Sequence, residues 1–275
     1  MTITSLMVVI DPTKEDQRTF THGLRSALIT GAKMNLYVCL NDACCDINST
    51  QNVELRNPVI ANYQERLGQL VEQAKAQGVE ASSEVDWADD WPRAIVKAAQ
   101  RNKSDMMFKA SHDHGLAERG MRETSDWIVL RNSPCPVLIV KEYRDWSHRR
   151  VLAAINTHSE DAAHVALNEA IIEFSRRLAD SYGSDVHFVT AFKGRFQEPN
   201  SEELATQCGV PVGQIHCAEG WPEDIIKETA DRLEVDLIVI GNVGRTGMVA
   251  SAIGNTAEKL LDQTHSDVLV INQKE

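Results

Sequence analysis

At 275 residues the chain is long enough for about two domains, and its 28 Lys and Arg stand against 40 Asp and Glu, a formal net charge of −12. That balance excludes a protein that tracks a phosphate backbone, which needs a basic face, but leaves room for a local basic pocket holding one nucleotide. No uncharged apolar stretch is long enough to cross a bilayer, the N-terminus lacks a signal-peptide pattern, and the six cysteines include no Cys-x-x-Cys pair. The chain is therefore expected in the reducing cytoplasm, with neither a membrane nor a nucleic-acid partner.

Short apolar runs alternate with longer amphipathic segments from end to end. The first half predicts strands over 5–10, 34–40, 79–85, 105–109 and 136–140, and helices over 15–31, 58–77, 92–102 and 122–131. The second half predicts strands over 150–155, 185–191, 211–217, 236–240 and 267–271, and helices over 160–181, 201–207, 222–233 and 255–263. Pro92 and Pro222 suit the first turn of a helix, where a missing N–H costs nothing, and Gly78 and Gly183 suit the left-handed residue that closes one. Strand–helix alternation implies a mostly parallel sheet covered on both faces, with ligands at the carboxyl ends of the strands.

The pattern repeats once. Trp91-Pro92-Arg93-Ala94-Ile95-Val96-Lys97 matches Trp221-Pro222-Glu223-Asp224-Ile225-Ile226-Lys227, and Asp105-Met106-Met107-Phe108 matches Asp236-Leu237-Ile238-Val239. Leu6-Met7-Val8-Val9-Ile10-Asp11 matches Val151-Leu152-Ala153-Ala154-Ile155-Asn156, and the run ending at Val140 matches the run ending at Ile271. The period is that of a small domain, not of a solenoid. Domains are placed at 1–143 and 149–275, with a charged linker between them.

The segment Gly241-Asn242-Val243-Gly244, followed by Arg245 and, after nine intervening residues, by Gly254-Asn255, lies between a buried strand and a helix start. Glycines let backbone approach a phosphate, and a helix N-terminus offers unpaired N–H groups. The bland alternative is a tight strand-to-helix turn. Aligning Asp105 with Asp236 carries Gly241 onto Ala110, Gly244 onto Asp113, Gly254 onto Glu123 and Asn255 onto Thr124. The first half has thus lost the glycines and gained carboxylates, which repel an anion.

The spacing Gly-x2-Gly-x9-Gly, with Asn255 in a Ser/Thr place, resembles the nucleotide-binding members of the universal stress protein family. The resemblance covers nearly the whole chain and agrees with the coarse pattern: α/β, two tandem doubly wound, Rossmann-like parallel-sheet domains. It implies that they form an intramolecular pseudo-dimer through their last strands, with a homodimer of chains possible. It also implies ATP in the second half, with Mg²⁺ held by phosphate oxygens and water. The residues implicated are Asn156, Gly241, Asn242, Gly244, Arg245, Gly254 and Asn255, with further contacts near Val189 and Cys217. Asn156 replaces the acidic residue that lies near adenine in such relatives; Asp11 keeps it in the first half.

Other candidates are local. His112 and His114 could share a zinc ion with Asp113 or Asp11, or form a salt-bridged loop with Asp113. Cys44-Cys45 lies in the polar stretch 41–57, read as a lid-like loop, where the thiols could bind metal, sense oxidation or simply be exposed. Cys39, Cys135 and Cys217 read as buried thiols, and Trp91 and Trp221 as helix anchors. With no evident general base beside the loop, the expectation is a cytosolic stress-response protein whose bound nucleotide acts as a regulatory ligand, without true turnover. The alternatives are an apolar or acyl small-molecule carrier through the first half, or a slow metal-assisted ATPase using His112 and His114.

Overall fold

A computed structural model describes residues 3–49, 53–111, 125–141, 149–159, 161–242 and 255–272. Contacts divide the chain into two units, Met1–Val140 and Lys141–Glu275.

The first unit runs β1 (Ser5–Val9), α1 (Arg18–Thr30), β2 (Lys33–Leu40), α2 (Asp42–Cys45), α3 (Arg56–Ala76), β3 (Ala81–Trp87), α4 (Trp91–Arg101), β4 (Met106–Ala110), α5 (Ser125–Asn132) and β5 (Val137–Val140). Its strands lie in the order β3-β2-β1-β4-β5, all parallel, with Leu6 opposite both Met34 and Met106. The sheet interior is mostly apolar: Leu6, Met7, Val8, Phe108, Val137 and Leu138 are fully buried. That is why these strands read as continuous apolar runs.

The second unit repeats the plan with β6 (Arg150–Ala154), α6 (Ala162–Tyr182), β7 (Asp185–Phe192), α7 (Ser201–Cys208), β8 (Ile215–Glu219), α8 (Pro222–Leu233), β9 (Leu237–Asn242), α9 (Asn255–Gln263) and β10 (Asp267–Asn272). The strand order β10-β9-β6-β7-β8 is the same arrangement, with Leu152 facing Ile238 on one side and His187 on the other. In both units the order reverses beside the first strand. Right-handed crossovers then put helices on both faces and open a crevice at the carboxyl ends of the two strands flanking the reversal. Those strands are β1 and β4 in one unit, β6 and β9 in the other.

Local chemistry sets the boundaries. Gly31 and Gly183 close α1 and α6 at φ 71° and 61°, and Pro92 and Pro222 sit in the first turns of α4 and α8. Three expectations need correction. Residues 79–80 belong to the turn that follows α3, not to a strand: Gly78 turns at φ 86° and the Val79 amide donates to Ala74 O at 3.1 Å. Strand β8 starts at Ile215, not 211, because Pro211 leads into a 3-10 turn over Val212–Gln214. The stretch 41–57 is not one loop. It holds the one-turn helix α2, a 3-10 turn at Val53–Leu55 and the start of α3.

Candidate functional site

In the second unit a cavity of about 370 Å³ opens at the crevice. Asn156, two residues beyond β6, and Gly241, near the end of β9, line it from the two strands that flank the reversal. Val189, Ala191 and Phe192 of β7, with Leu167 and Ile171 of α6, give it apolar walls, and Thr256 and Ala257 bring in the first turn of α9.

Gly241 is required by packing. A Cβ there would fall 2.4 Å from Leu167 Cδ2 and 2.6 Å from its Cγ, closer than real contacts allow. Asn156 is held by two bonds with Asn168: the Asn156 amide N–H donates to Asn168 Oδ1 at 3.0 Å, and Asn168 Nδ2 donates to the Asn156 carbonyl at 2.7 Å. The His158 N–H donates to Asn156 Oδ1 at 3.0 Å, so the group that Asn156 can offer a ligand is its Nδ2 donor. In the first unit Asp11 occupies this place, its Oδ1 accepting from Thr13 N at 2.8 Å and Thr13 Oγ1 at 2.6 Å. The same loop turn is built twice, once around a carboxylate and once around an amide.

Asn242, expected to line the site, is buried, and its Nδ2 donates to Asn272 Oδ1 at 3.0 Å, so its side chain is committed to β10. Val189 lines the cavity as expected; Cys217 does not, and it is half-buried, whereas Cys39 and Cys135 are buried. Gly244, Arg245 and Gly254 lie outside the described residues, as do His112 and His114. Asn255 opens α9. Among the described residues no group of three or more His, Cys, Asp or Glu could hold a metal ion.

Sequence reasoning missed Lys193, His158, His164 and Asn168. Lys193 follows β7 directly at the carboxyl edge, and its Nζ lies 3.6 Å from the centre of the Trp221 ring. Trp221 is 60% exposed, so it is no buried anchor; it is a platform beside the cavity mouth carrying a cation. For Lys193 and His158 the signal available was position alone, one and four places beyond strands that point at the crevice; His164 and Asn168 lie on α6.

The first unit is filled where the second is open. Its crevice holds a cavity of about 120 Å³ lined by Asp11, Cys39, Cys44, Trp91, Ile95 and Lys109, among others. Lys109 is 2% exposed, donates to Ala110 O at 3.0 Å and forms an ion pair with Asp126 in the first turn of α5. The repeat alignment puts Ile240 and Ala257, two walls of the larger cavity, at these positions. A resident carboxylate thus occupies the helix N-terminus that an anionic ligand would use, and a lysine neutralises it. The small volume and buried charge support an acyl ligand poorly.

These two units, each a five-stranded parallel sheet with its crevice at the strand reversal, define a tandem protein of the doubly wound α/β class. Residues 2–141 and 195–272 match the universal stress protein family, and the chain belongs to it. It is 28% identical to universal stress protein E of Escherichia coli (strain K12), over 97% of this chain and 93% of that protein. It is 25% identical to the universal stress protein E homolog of Haemophilus influenzae, over 98% of each. A putative universal stress protein from Pseudomonas aeruginosa superposes with a TM-score of 0.79 at 27% identity, covering 98% of this chain and 93% of that one. A universal stress protein from Archaeoglobus fulgidus shares the fold, with a TM-score of 0.75 at 17% identity. No helix among the described residues is long and apolar enough to cross a membrane.

Proposed function

We propose that the protein is a cytoplasmic stress-response protein that binds a nucleotide, ATP in the first instance, in its second unit as a regulatory ligand. The observation that carries this reading is the asymmetry of the two crevices. One is plugged by Lys109 and Asp126 and measures about 120 Å³; the other is open, measures about 370 Å³ and lies within the range of small-molecule sites.

The residues present suit a nucleotide in chemistry. Apolar side chains of β7 and α6 offer a base or ribose a dry wall. The Asn156 Nδ2 donor matches a ring-nitrogen or carbonyl acceptor. Gly241 brings backbone without a side chain, the N-terminus of α9 favours negative charge, and Lys193 supplies a cation at the rim. Mg²⁺, where it accompanies the ligand, would be held by phosphate oxygens and water. The chain's own groups bind and orient, and the reading assigns the nucleotide a regulatory role with slow or absent turnover.

Calorimetric titration with ATP and Mg²⁺ tests the reading. Wild type should bind one nucleotide per chain, and Gly244→Asp, which puts a carboxylate into the glycine loop, should weaken binding at least about tenfold, or ~1.4 kcal/mol. Unchanged affinity in that variant would mean that the glycine loop is not the site.

A further inference from the structure

Cys44 and Cys45 end the one-turn helix α2 just beyond the carboxyl end of β2. Successive helical residues point about 100° apart, so adjacent thiols ordinarily diverge. Here the two Sγ atoms are 3.4 Å apart and both residues are half-buried. The turn is fastened at each end. Asn41 Oδ1 accepts from Cys44 N at 2.8 Å, while the Asn41 N–H approaches Cys44 Sγ at 3.3 Å. The Asp42 carboxylate accepts from Ser49 N at 2.9 Å and Ser49 Oγ at 2.5 Å, and Arg56 Nε donates to that hydroxyl at 2.6 Å.

Geometry separates the possible uses of the pair. A disulfide requires sulfurs about 2.05 Å apart and Cα atoms usually about 4.4–6.8 Å apart. Neighbouring Cα atoms across a trans peptide are only about 3.8 Å apart, so a direct bond would be strained. A single soft atom bonded to both sulfurs at about 2.3 Å places them roughly 3.3–3.8 Å apart, for bond angles of about 90–110°. The observed 3.4 Å lies in that window. Among the described residues no third His, Cys, Asp or Glu completes a metal set, and an occupant that uses two protein sulfurs and carries a substituent of its own fits the pair. Cys44 borders the cavity shared by Cys39, Trp91 and Ile95, which offers a small apolar substituent a place to lie.

We propose that Cys44 and Cys45 form a dithiol site that captures trivalent organoarsenicals, R–As=O, at the mouth of the first unit's cavity. Each thiol gives up its hydrogen, two S–As bonds form, and the arsenic-bound oxygen leaves as water with those two protons. No electrons are transferred, and arsenic stays trivalent. Burial pushes the Cys45 thiol up to about 12, which disfavours thiolate attack on a peroxide.

The test is an intact-mass titration of the reduced full chain with phenylarsine oxide. One adduct per chain is expected, heavier by the reagent less one water, released by 2,3-dimercaptopropanol and resistant to the same concentration of 2-mercaptoethanol. Cys44→Ser and Cys45→Ser should each weaken capture roughly 100-fold or more, because the second sulfur then loses its effective concentration. Cys217→Ser, in the second unit and outside this cavity, should leave it unchanged. In wild type, bound arsenical should protect Cys44 and Cys45, and no other cysteine, from iodoacetamide, a readout that stands even where a variant folds poorly. Protection of a different pair, or an adduct that survives either serine replacement, overturns the proposal.

Discussion

Leu167 of α6 lies where any side chain at Gly241 would have to go: a Cβ at Gly241 would come within 2.4 Å of Leu167 Cδ2. The end of β9 and the second turn of α6 therefore pack tightly at the cavity that both line. Gly241→Ala should force Leu167 to shift and destabilise the protein by about 1–3 kcal/mol. Adding Leu167→Ala should recover part of that loss, so the double variant will be less destabilised than the sum of the two singles, as measured by urea unfolding.

Lys109 and Asp126 are a buried ion pair whose counterparts in the second unit are Ile240 and Ala257. Removing one partner leaves an uncompensated buried charge. Lys109→Ile alone or Asp126→Ala alone should cost about 3–5 kcal/mol. Lys109→Ile with Asp126→Ala rebuilds the second unit's wall and should fall within about 1–2 kcal/mol of wild type. Thermal or urea unfolding of the three variants checks the order.

His187 and His216 stand side by side on β7 and β8, with His187 Nδ1 3.0 Å from His216 Nε2 and His187 Nε2 3.2 Å from Asp185 Oδ2. Burial, then the neighbouring His187 and the Arg232 charge, push His216 down to about 4 from its ordinary 6.5. The native state therefore binds fewer protons than the unfolded chain between those values. The contribution of His216 is complete above about 6.5 and is lost as pH falls towards 4. With allowance for partial solvent screening, the loss should be roughly 1–2 kcal/mol. Denaturant unfolding at several pH values, compared with His216→Gln, should show a slope in that window for wild type that the variant lacks.

Lys193 Nζ over the Trp221 ring places an indole reporter at the cavity mouth. A nucleotide that draws Lys193 to its phosphates should change Trp221 emission on titration. Trp221→Phe should remove that change while weakening binding by no more than about 1 kcal/mol. A full signal in Trp221→Phe would place the response elsewhere.

Much of the fold was legible because it rests on short-range physics. The apolar runs around Met7, Phe108, Ile238 and Leu269 are buried on both faces of parallel strands, so hydrophobicity alone marks them. Pro92, Pro222 and Gly183 announce helix ends by backbone chemistry, and the repeat followed from matching them. Strand β8 was misplaced because Val212 looks like a strand residue, while Pro211 and the turn after it delay pairing until Ile215 meets Phe188.

The sequence by itself determined the tandem α/β plan, the crevice edge and the loss of glycines from the first half, all properties of local pattern and composition. Only the tertiary structure decided which crevice is open. Lys109 meets Asp126, Gly241 meets Leu167, and the amide of Asn242 turns to Asn272 instead of the cavity. Each of these meetings joins residues on different elements, and nothing in either residue's own neighbourhood along the chain specifies the other. Long-range packing brings them together, and it is that packing which fills one crevice with an internal ion pair and leaves the other open.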